Sequence, residues 1–425
     1  MQLSALLNKK VLSWALYDWA NSAYATAVLA GFFPIFFKSY WASALPATES
    51  TFKLGLANSI AGVCIVILAP VLGAIADAGG IRKRFLLFFT VLGSGMTIGL
   101  ALVPFGETTM AMMLFIFASM GFLGSMVFYD SLIVAVVDEE GYDLVSAFGY
   151  ALGYLGGGVL FAGTVAMTLM PEIFGFTDNA QAVKFSFFVV GIWWVLFAIP
   201  LMKNVPEDRL SNSRSVVGVV LAAFIQLKET FSDIKKLKYV FLFLIAYWLY
   251  IDGVDTIVVM AVDYGVALGF PQDSLIIALL ITQFVGFPAA LLFGVLGQRF
   301  SAKRAILFAI VVYIMVTIFA FWMDDVSEFY VLAIVIGLVQ GGIQSMSRSL
   351  YASMIPTDKS AEFFGFYNMV GKFAAIIGPT LVGTVALITG SSRFGILSIS
   401  SLLIIGGILL LFVNVEKGRQ AGKSI

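Results

Sequence analysis

The chain has 425 residues, of which 60% are hydrophobic and 12% are charged, and its formal net charge is zero. A soluble domain is closer to half apolar and a quarter charged, and nucleic-acid binding requires a basic excess. Histidine is absent and Cys64 is the single cysteine, which excludes histidine-based zinc sites, catalytic triads and internal disulfides. The composition therefore indicates an integral membrane protein with no cofactor and no nucleic-acid partner.

Apolar runs long enough to cross a bilayer recur along the chain, without the alternation that a membrane β-barrel requires. A spanning helix needs about 20 mostly apolar residues. Dividing the chain at clusters of charged residues, Gly and Pro predicts an all-α membrane protein with twelve transmembrane helices. The predicted spans are 11–41, 52–76, 85–104, 110–136, 146–170, 184–202, 240–262, 273–297, 305–323, 329–353, 363–389 and 394–414.

The longest polar segment, Lys203 to Lys238, follows the sixth span. We therefore predict an N-terminal six-helix bundle over 1–202, a cytoplasmic linker over 203–239 and a C-terminal six-helix bundle over 240–425. Two parallel six-helix repeats are related by a pseudo-two-fold axis along the membrane normal.

Lys and Arg residues set the predicted orientation. The segments that share a side with the N-terminus hold most of them, and the opposite side holds Lys38, Lys53, Lys184 and Arg393. By the positive-inside rule both termini are predicted to be cytoplasmic. In a bacterium this location is the inner membrane, and we expect a monomer surrounded by lipid.

Two predicted loops echo each other, one after the second span and one after the eighth. Each reads Gly, three residues, a polar acceptor, a short turn and a basic cluster. The residues concerned are Gly73, Asp77, Arg82 and Arg84 in the first loop, and Gly294, Arg299 and Arg304 in the second. We predict that these loops take part in gating.

Charged residues inside spans are the strongest functional signal, because a charge within a bilayer is costly. Away from the outer span ends they are Asp18, Asp130, Asp252, Asp255, Arg348 and Lys372. Helical spacing puts polar and aromatic side chains on the same faces. These are Asn21, Tyr129, Trp248, Gln340 and Gln344. The two sets together form the predicted site for substrate or a coupling proton.

Opposite charges in these spans predict pairs. We expect Arg348 to pair with Asp18 or Asp130, and Lys372 to pair with Asp252 or Asp18. Pairs that break and reform would act as a gate, and a released carboxylate can take a proton. The alternative is that they are static ion pairs that stabilise the assembly.

Asp252 and Asp255 lie one turn apart and are not both comfortably ionised without a nearby cation. One of them is the best candidate for binding a proton or a substrate amine. The alternative is a water-filled cavity that solvates both carboxylates.

Other patterns are interpreted structurally. Gly149, Gly153 and Gly157 recur every four residues, which favours close packing of the fifth span. Gly378-Pro379 predicts a bend in the eleventh span. The acidic loop 138–140 is expected to be solvated.

The first loop resembles the signature loop of the major facilitator superfamily, although Ala78 stands where an arginine is usual. More specific segments resemble the vacuolar-effluxer-like, autophagy-related permease branch, namely 17–24, 148–157, 250–256, 341–349 and 362–372. The resemblance implies the major facilitator fold, alternating access and a cavity lined by spans one, four, seven and ten. Its best-known eukaryotic relatives are linked to amino-acid release from the vacuole.

The favoured function is transport of a small polar or zwitterionic metabolite, amino acids first. Asp, Arg and Lys in one cavity suit an ammonium and a carboxylate on one ligand. Trp14, Tyr17, Trp19 and Trp248 would cover a cation or an apolar side chain. The alternatives are a transporter of an amphiphile such as a lysolipid, which needs an apolar cavity half, and a non-transporting membrane sensor. An enzyme is rejected, because the chain has no histidine, no cysteine cluster and no nucleophile elbow.

Overall fold

The computed structural model describes residues 6–207, 218, 221, 223, 225, 228–230 and 237–424, without the side chains at 47, 48, 51, 262, 263, 272, 273 and 372–376. Within those residues, twelve long helices and a short C-terminal helix follow one another. They are α1 (Lys9–Trp41), α2 (Ala47–Gly79), α3 (Arg82–Leu100), α4 (Thr108–Ser131), α5 (Tyr142–Leu169), α6 (Asn179–Asn204), α7 (Lys238–Ala267), α8 (Gln272–Phe300), α9 (Ala302–Trp322), α10 (Val326–Ala352), α11 (Ser360–Thr389), α12 (Ser392–Phe412) and α13 (Val415–Lys423).

The twelve-helix prediction is confirmed. Across the described residues, eleven helices are long and apolar enough to cross a membrane, and α11 contributes a shorter apolar stretch, Ile377–Thr389. The fourth predicted span runs too far, because α4 ends at Ser131 and a separate turn covers Ile133–Val136. At this break the Ser131 carbonyl accepts a hydrogen bond from Ser360 Oγ at 3.1 Å, so a backbone acceptor serves a contact with α11.

The helix α1 is regular over Lys9–Ala23 and then widens to π-helical geometry over Tyr24–Phe32 and Phe37–Trp41. The end of its regular part and the start of the first π-helical stretch pack against the glycine row of α5. A Cβ on Gly153 would lie 2.6 Å from Ser22 Oγ, and one on Gly157 would lie 2.8 Å from Thr26 Oγ1. The predicted close packing of this row is confirmed.

The two six-helix bundles meet mainly along the pairs α5–α8 and α2–α11, and α5–α10 and α4–α11 add further contacts. We call the face with both chain ends the terminal side and the opposite face the far side. The α5–α8 contact runs along the helices: a Cβ on Gly294 would lie 2.6 Å from Ala147 Cβ, and one on Gly158 would lie 3.2 Å from Gln283 Cβ.

The α2–α11 contact is tight on the terminal side. A Cβ on Gly365 would lie 2.7 Å from the Ala69 carbonyl oxygen. On the far side, Phe52 of α2 is 69% exposed, and Leu387 of α11 is 85% exposed. These contacts close the terminal side between the bundles.

Candidate functional site

Arg348 of α10 is the centre of a buried charged cluster on the terminal side. Its side chain is fully buried. Its Nη1 lies 3.0 Å from Asp130 Oδ1 of α4 and 3.4 Å from Asp18 Oδ2 of α1. The predicted pairing of Arg348 with these two carboxylates is therefore confirmed, and it joins the C-terminal bundle to the N-terminal one.

Ser146 of α5 completes the coordination of the guanidinium. Nε of Arg348 donates to Ser146 Oγ at 2.9 Å, and Nη2 donates to the Ser146 carbonyl oxygen at 2.9 Å. A buried guanidinium needs its donors satisfied as well as its charge balanced. Side chains from three helices of the other bundle meet both requirements.

Three aromatic rings of the N-terminal bundle enclose the guanidinium. The carbon Cζ of Arg348 lies 4.8 Å from the ring centre of Trp14, 4.4 Å from that of Tyr150 and 5.4 Å from that of Tyr129. Tyr129 Oη also donates to Asp18 Oδ2 at 2.7 Å. Trp14 therefore covers a side chain of the protein itself, which corrects its predicted place over a ligand.

Among the described side chains, two buried carboxylates of this cluster face one guanidinium. A neutral donor also meets one of them: Asn368 Nδ2 of α11 donates to Asp130 Oδ2 at 3.2 Å. Burial disfavours the charged form of a carboxylate. The arrangement is chemically able to hold one proton between Asp18 and Asp130.

A second set of terminal-side contacts comes from the last turn of α2 and the first residue of α3. Asp77 accepts hydrogen bonds from the backbone nitrogen of Ala361 at 3.2 Å and from that of Glu362 at 2.8 Å. These are the first N–H groups of α11, where a helix favours negative charge. Arg82 Nε donates to Asp77 Oδ1 at 2.6 Å, and its Nη2 reaches the Asp358 carbonyl oxygen at 3.0 Å.

Some of the predicted loop residues contact the other bundle, whereas others are cations exposed at the surface. A Cβ on Gly73 would lie 2.8 Å from the Glu362 nitrogen, so both glycines of the repeated pattern, Gly73 and Gly294, are in tight bundle contacts. By contrast, Arg84, Arg299 and Arg304 are exposed. The structure therefore brings Asp77 and Arg82 to the terminal-side contact between the bundles and leaves these three arginines at the surface.

The acidic loop before α5 is not simply solvated, which corrects the prediction. Glu139 Oε1 lies 3.0 Å from Arg419 Nε, and its Oε2 lies 2.9 Å from Lys423 Nζ. Both cations belong to α13, which follows the last long helix. The C-terminal helix therefore bridges the bundles on the terminal side.

Asp252 and Asp255 of α7 have different surroundings. Asp252 is fully buried and accepts from the Gly378 nitrogen of α11, which lies 3.0 Å from each carboxylate oxygen. Asp255 lies within electrostatic range of four tyrosines, Tyr150, Tyr154, Tyr247 and Tyr313. The predicted partner Lys372 lies outside the described side chains, and its pairing stays a prediction.

The remaining predicted residues lie between these two regions. Asn21 Nδ2 donates to Met126 Sδ at 2.9 Å, and Gln344 Oε1 accepts from Tyr154 Oη at 3.4 Å. Among the described residues, several buried polar atoms face no hydrogen-bond partner, including Trp248 Nε1, Gln340 Oε1 and Tyr313 Oη. Unsatisfied buried groups of this kind are common where a ligand or water binds.

An apolar cavity extends from this region into the C-terminal bundle. Residues of α7, α8, α9, α10 and α12 line it, with Gln340 among otherwise mostly apolar side chains. The volume of the cavity is about 70 Å³. Thr282 and Thr317 in its wall donate to carbonyl oxygens of their own helices, and Thr282 also donates to the Ala333 carbonyl oxygen of α10 at 3.2 Å.

The sequence analysis did not identify four residues of the candidate site, namely Ser146, Tyr150, Asn368 and Tyr313. The first is a short polar side chain of the kind that most spans contain, so composition does not mark it. Tyr150 and Asn368 fall in segments whose resemblance was noted, 148–157 and 362–372. The available signal was the helical spacing that sets which face of α5 carries Tyr150 and which face of α11 carries Asn368.

Comparison with known proteins gives one family. Residues 40–142 and 138–423 match the profile of the family described as vacuole effluxer Atg22 like. An uncharacterized MFS-type transporter, YxiO of Bacillus subtilis (strain 168), is 39% identical over 417 residues, covering 98% of this chain and 97% of that protein. Autophagy-related protein 22 of Coccidioides immitis (strain RS) is 24% identical, covering 98% of this chain and 88% of that protein.

Solved structures with the same fold are major facilitator transporters. The proton:xylose symporter XylE has a TM-score of 0.73 at 15% identity and covers 97% of both chains. The human organic anion transporter MFSD10 has a TM-score of 0.69 at 14% identity, covering 95% of this chain and 99% of that one. At these identities the likeness shows the fold alone.

Proposed function

The chain belongs to the vacuole effluxer Atg22-like family of MFS-type transporters, and from that premise we propose that it moves a small zwitterionic metabolite, amino acids first, by alternating access. The relatives and structures that it matches are transporters rather than enzymes. The proposed arrangement is the bundle 1–202, the linker 203–239 and the bundle 240–425. Both termini are proposed to be cytoplasmic, as the Lys/Arg distribution favours.

The observation that carries this proposal is the contact of Arg348 with Asp18 and Asp130 across the bundle interface. In alternating access the bundles rock about a central site and must part on one side as they close on the other. Every hydrogen bond of Arg348 to Asp18, Asp130 and Ser146 crosses that interface. Opening the terminal side therefore requires these bonds to be replaced by water or substrate.

A proton is the proposed coupling ion. Among the described side chains, two carboxylates of the closed cluster face one guanidinium, and a proton on Asp18 or Asp130 would balance the charge. Separation of the bundles would expose the carboxylates to water, which solvates the charge and allows the proton to leave.

Substrate recognition is proposed around Asp255, Gln340 and Gln344. Asp255 of α7, a partly buried side chain, would offer a carboxylate to an ammonium group. Gln340 Oε1 offers a buried acceptor at the apolar cavity of the C-terminal bundle. The cavity would take the apolar part of the ligand, and Arg348, once released, would attract its carboxylate.

The test is a thermal-shift panel on purified protein, followed by uptake in proteoliposomes. Amino acids, dipeptides, organic acids, sugars and lysolipids are compared on wild type and on Asp255→Asn. The matched control is Asp324→Asn, which removes a carboxylate that pairs with Arg393 at the far-side ends of α9 and α12. We expect amino acids to stabilise wild type and the control but not Asp255→Asn.

A transporter of amphiphiles is the second candidate, because the apolar cavity supplies the apolar half that such a ligand needs. Stabilisation by lysolipid alone would favour it over the amino-acid proposal. A sensor would bind a ligand without moving it, so binding without counterflow in proteoliposomes would favour that class.

A further inference from the structure

The helix α11 contains a proline in its interior, Pro379, directly after Gly378. A proline inside a helix has no N–H for the carbonyl four residues earlier, and its ring pushes against that carbonyl. Such sites bend unless neighbouring groups hold the backbone. The structure therefore has to stabilise α11 at this point through another helix.

Asp252 of α7 supplies that contact. The Gly378 nitrogen lies 3.0 Å from each oxygen of the Asp252 carboxylate, and Thr256 Oγ1 donates to Oδ1 at 3.3 Å. The carboxylate is fully buried. A buried carboxylate is expensive unless hydrogen bonds satisfy it, and the backbone N–H beside the proline is one of its donors.

Glycine at position 378 is what permits the approach. A Cβ at this position would lie 2.7 Å from Asp252 Oδ1 and would overlap the hydroxyl of Thr256. Any larger residue would push α11 away from α7. The side chains of Asp252 and Thr256 thus meet the backbone of α11 directly before Pro379.

The two halves of α11 have different neighbours. The terminal-side half contacts the N-terminal bundle through the Asp77 bonds and through Asn368 on Asp130. The far-side half packs against α12, where a Cβ on Gly395 would lie 2.8 Å from the Val382 carbonyl oxygen. Gly378 and Pro379 therefore lie between the half of α11 that contacts the N-terminal bundle and the half that packs against α12.

We propose that Asp252 is a positioning residue, which sets the bend of α11 at Gly378-Pro379 by accepting the Gly378 N–H, rather than a ligand-binding carboxylate. It fixes where the far-side half of α11 lies while the terminal-side half remains on α2. Asp255, one turn along α7, keeps the proposed role in substrate binding.

The experiment measures distances by double electron–electron resonance in a Cys64→Ala background. Spin labels at Phe52→Cys and Leu387→Cys report the far side, and labels at Arg84→Cys and Asp358→Cys report the terminal side. Asp252→Ala is expected to add a second far-side distance population and to leave the terminal-side distance unchanged. Asp252→Asn is expected to match wild type, because its amide oxygen still accepts the N–H.

The proline supplies the decisive comparison. In a Pro379→Ala background α11 regains its own hydrogen bond, so Asp252→Ala should have no further effect. In a Pro288→Ala background, which changes a proline inside α8, the effect of Asp252→Ala should persist.

A wild-type far-side distribution in Asp252→Ala overturns the proposal, as does an undiminished effect in Pro379→Ala. If Asp252→Ala alone fails to fold, the double variant with Pro379→Ala should recover a monodisperse protein. If the double variant does not recover although Pro379→Ala alone folds, the proposal is also overturned.

Discussion

Asp18 and Asp252 lie on the first helices of the two bundles, and each faces a glycine of its own bundle's fifth helix. A Cβ on Gly149 would lie 2.6 Å from Asp18 Oδ2, and one on Gly378 would lie 2.7 Å from Asp252 Oδ1. Their partners differ in kind. Asp18 binds Arg348 of the other bundle, whereas Asp252 accepts from the backbone of its own bundle.

This difference separates two roles that look alike in sequence. A carboxylate held across the bundle interface loses its partner whenever the bundles part. A carboxylate held within one bundle moves with it and instead fixes the shape of a helix. Burial alone does not distinguish them, because Asp18 and Asp252 are 3% and 0% exposed.

Removal of the cross-bundle cation should have the largest effect. Arg348→Ala leaves Asp18 and Asp130 buried without a counter-charge, and breaking a buried pair costs about 3–5 kcal/mol. We expect a markedly lower melting temperature in detergent and no uptake, with Arg348→Lys intermediate because an ammonium cannot satisfy Ser146 and both carboxylates together. Unchanged melting and uptake in Arg348→Ala would contradict the gate.

Glycine substitutions compare the two carboxylates directly. Gly378→Ala and Gly149→Ala should each destabilise by about 1–3 kcal/mol through overpacking, Gly378→Ala more, because its new methyl also meets Thr256. Gly383→Ala in α11 and Gly163→Ala in α5 are the matched controls, since a Cβ there meets nothing within 4 Å. If the melting temperatures of the control variants fall as far as those of the test variants, close contact with the two carboxylates is not the cause of the destabilisation.

Acidification should favour closure of the terminal side. In the proposed mechanism the closed cluster holds a proton that the open form releases, so the closed population rises as pH falls. One proton changes such an equilibrium by at most about tenfold per pH unit. Terminal-side spin-label distances measured against pH should show this shift in wild type and lose it in Asp130→Asn, while Asp252→Asn should keep it.

Loss of the exposed ion pairs between Glu139 and α13 should have the smallest effect. Glu139→Gln removes ion pairs to Arg419 and Lys423, and exposed pairs contribute about 0.2–1 kcal/mol each. We expect a slight loss of terminal-side closure that disappears in high salt, because salt already screens the pair. An effect as large as that of Arg348→Ala would place the gate at α13 instead.

The sequence by itself determined the twelve helices, since each span must satisfy its backbone hydrogen bonds and present an apolar surface. It also identified Arg348, Asp18 and Asp130, because charges inside spans are rare enough to be paired. Asp77 and Arg82 were found differently, from a pattern that recurs after the second and the eighth predicted spans.

The tertiary structure alone decided which carboxylate serves which role. Helical spacing gives the face on which Asp252 lies, but only the approach of α11 shows that a backbone N–H, and not a ligand, meets that face. The same holds for Ser146, which satisfies Arg348 through a hydroxyl and a carbonyl that no composition signal marks. Contacts between helices distant in sequence depend on packing, which is a property of the assembled bundles.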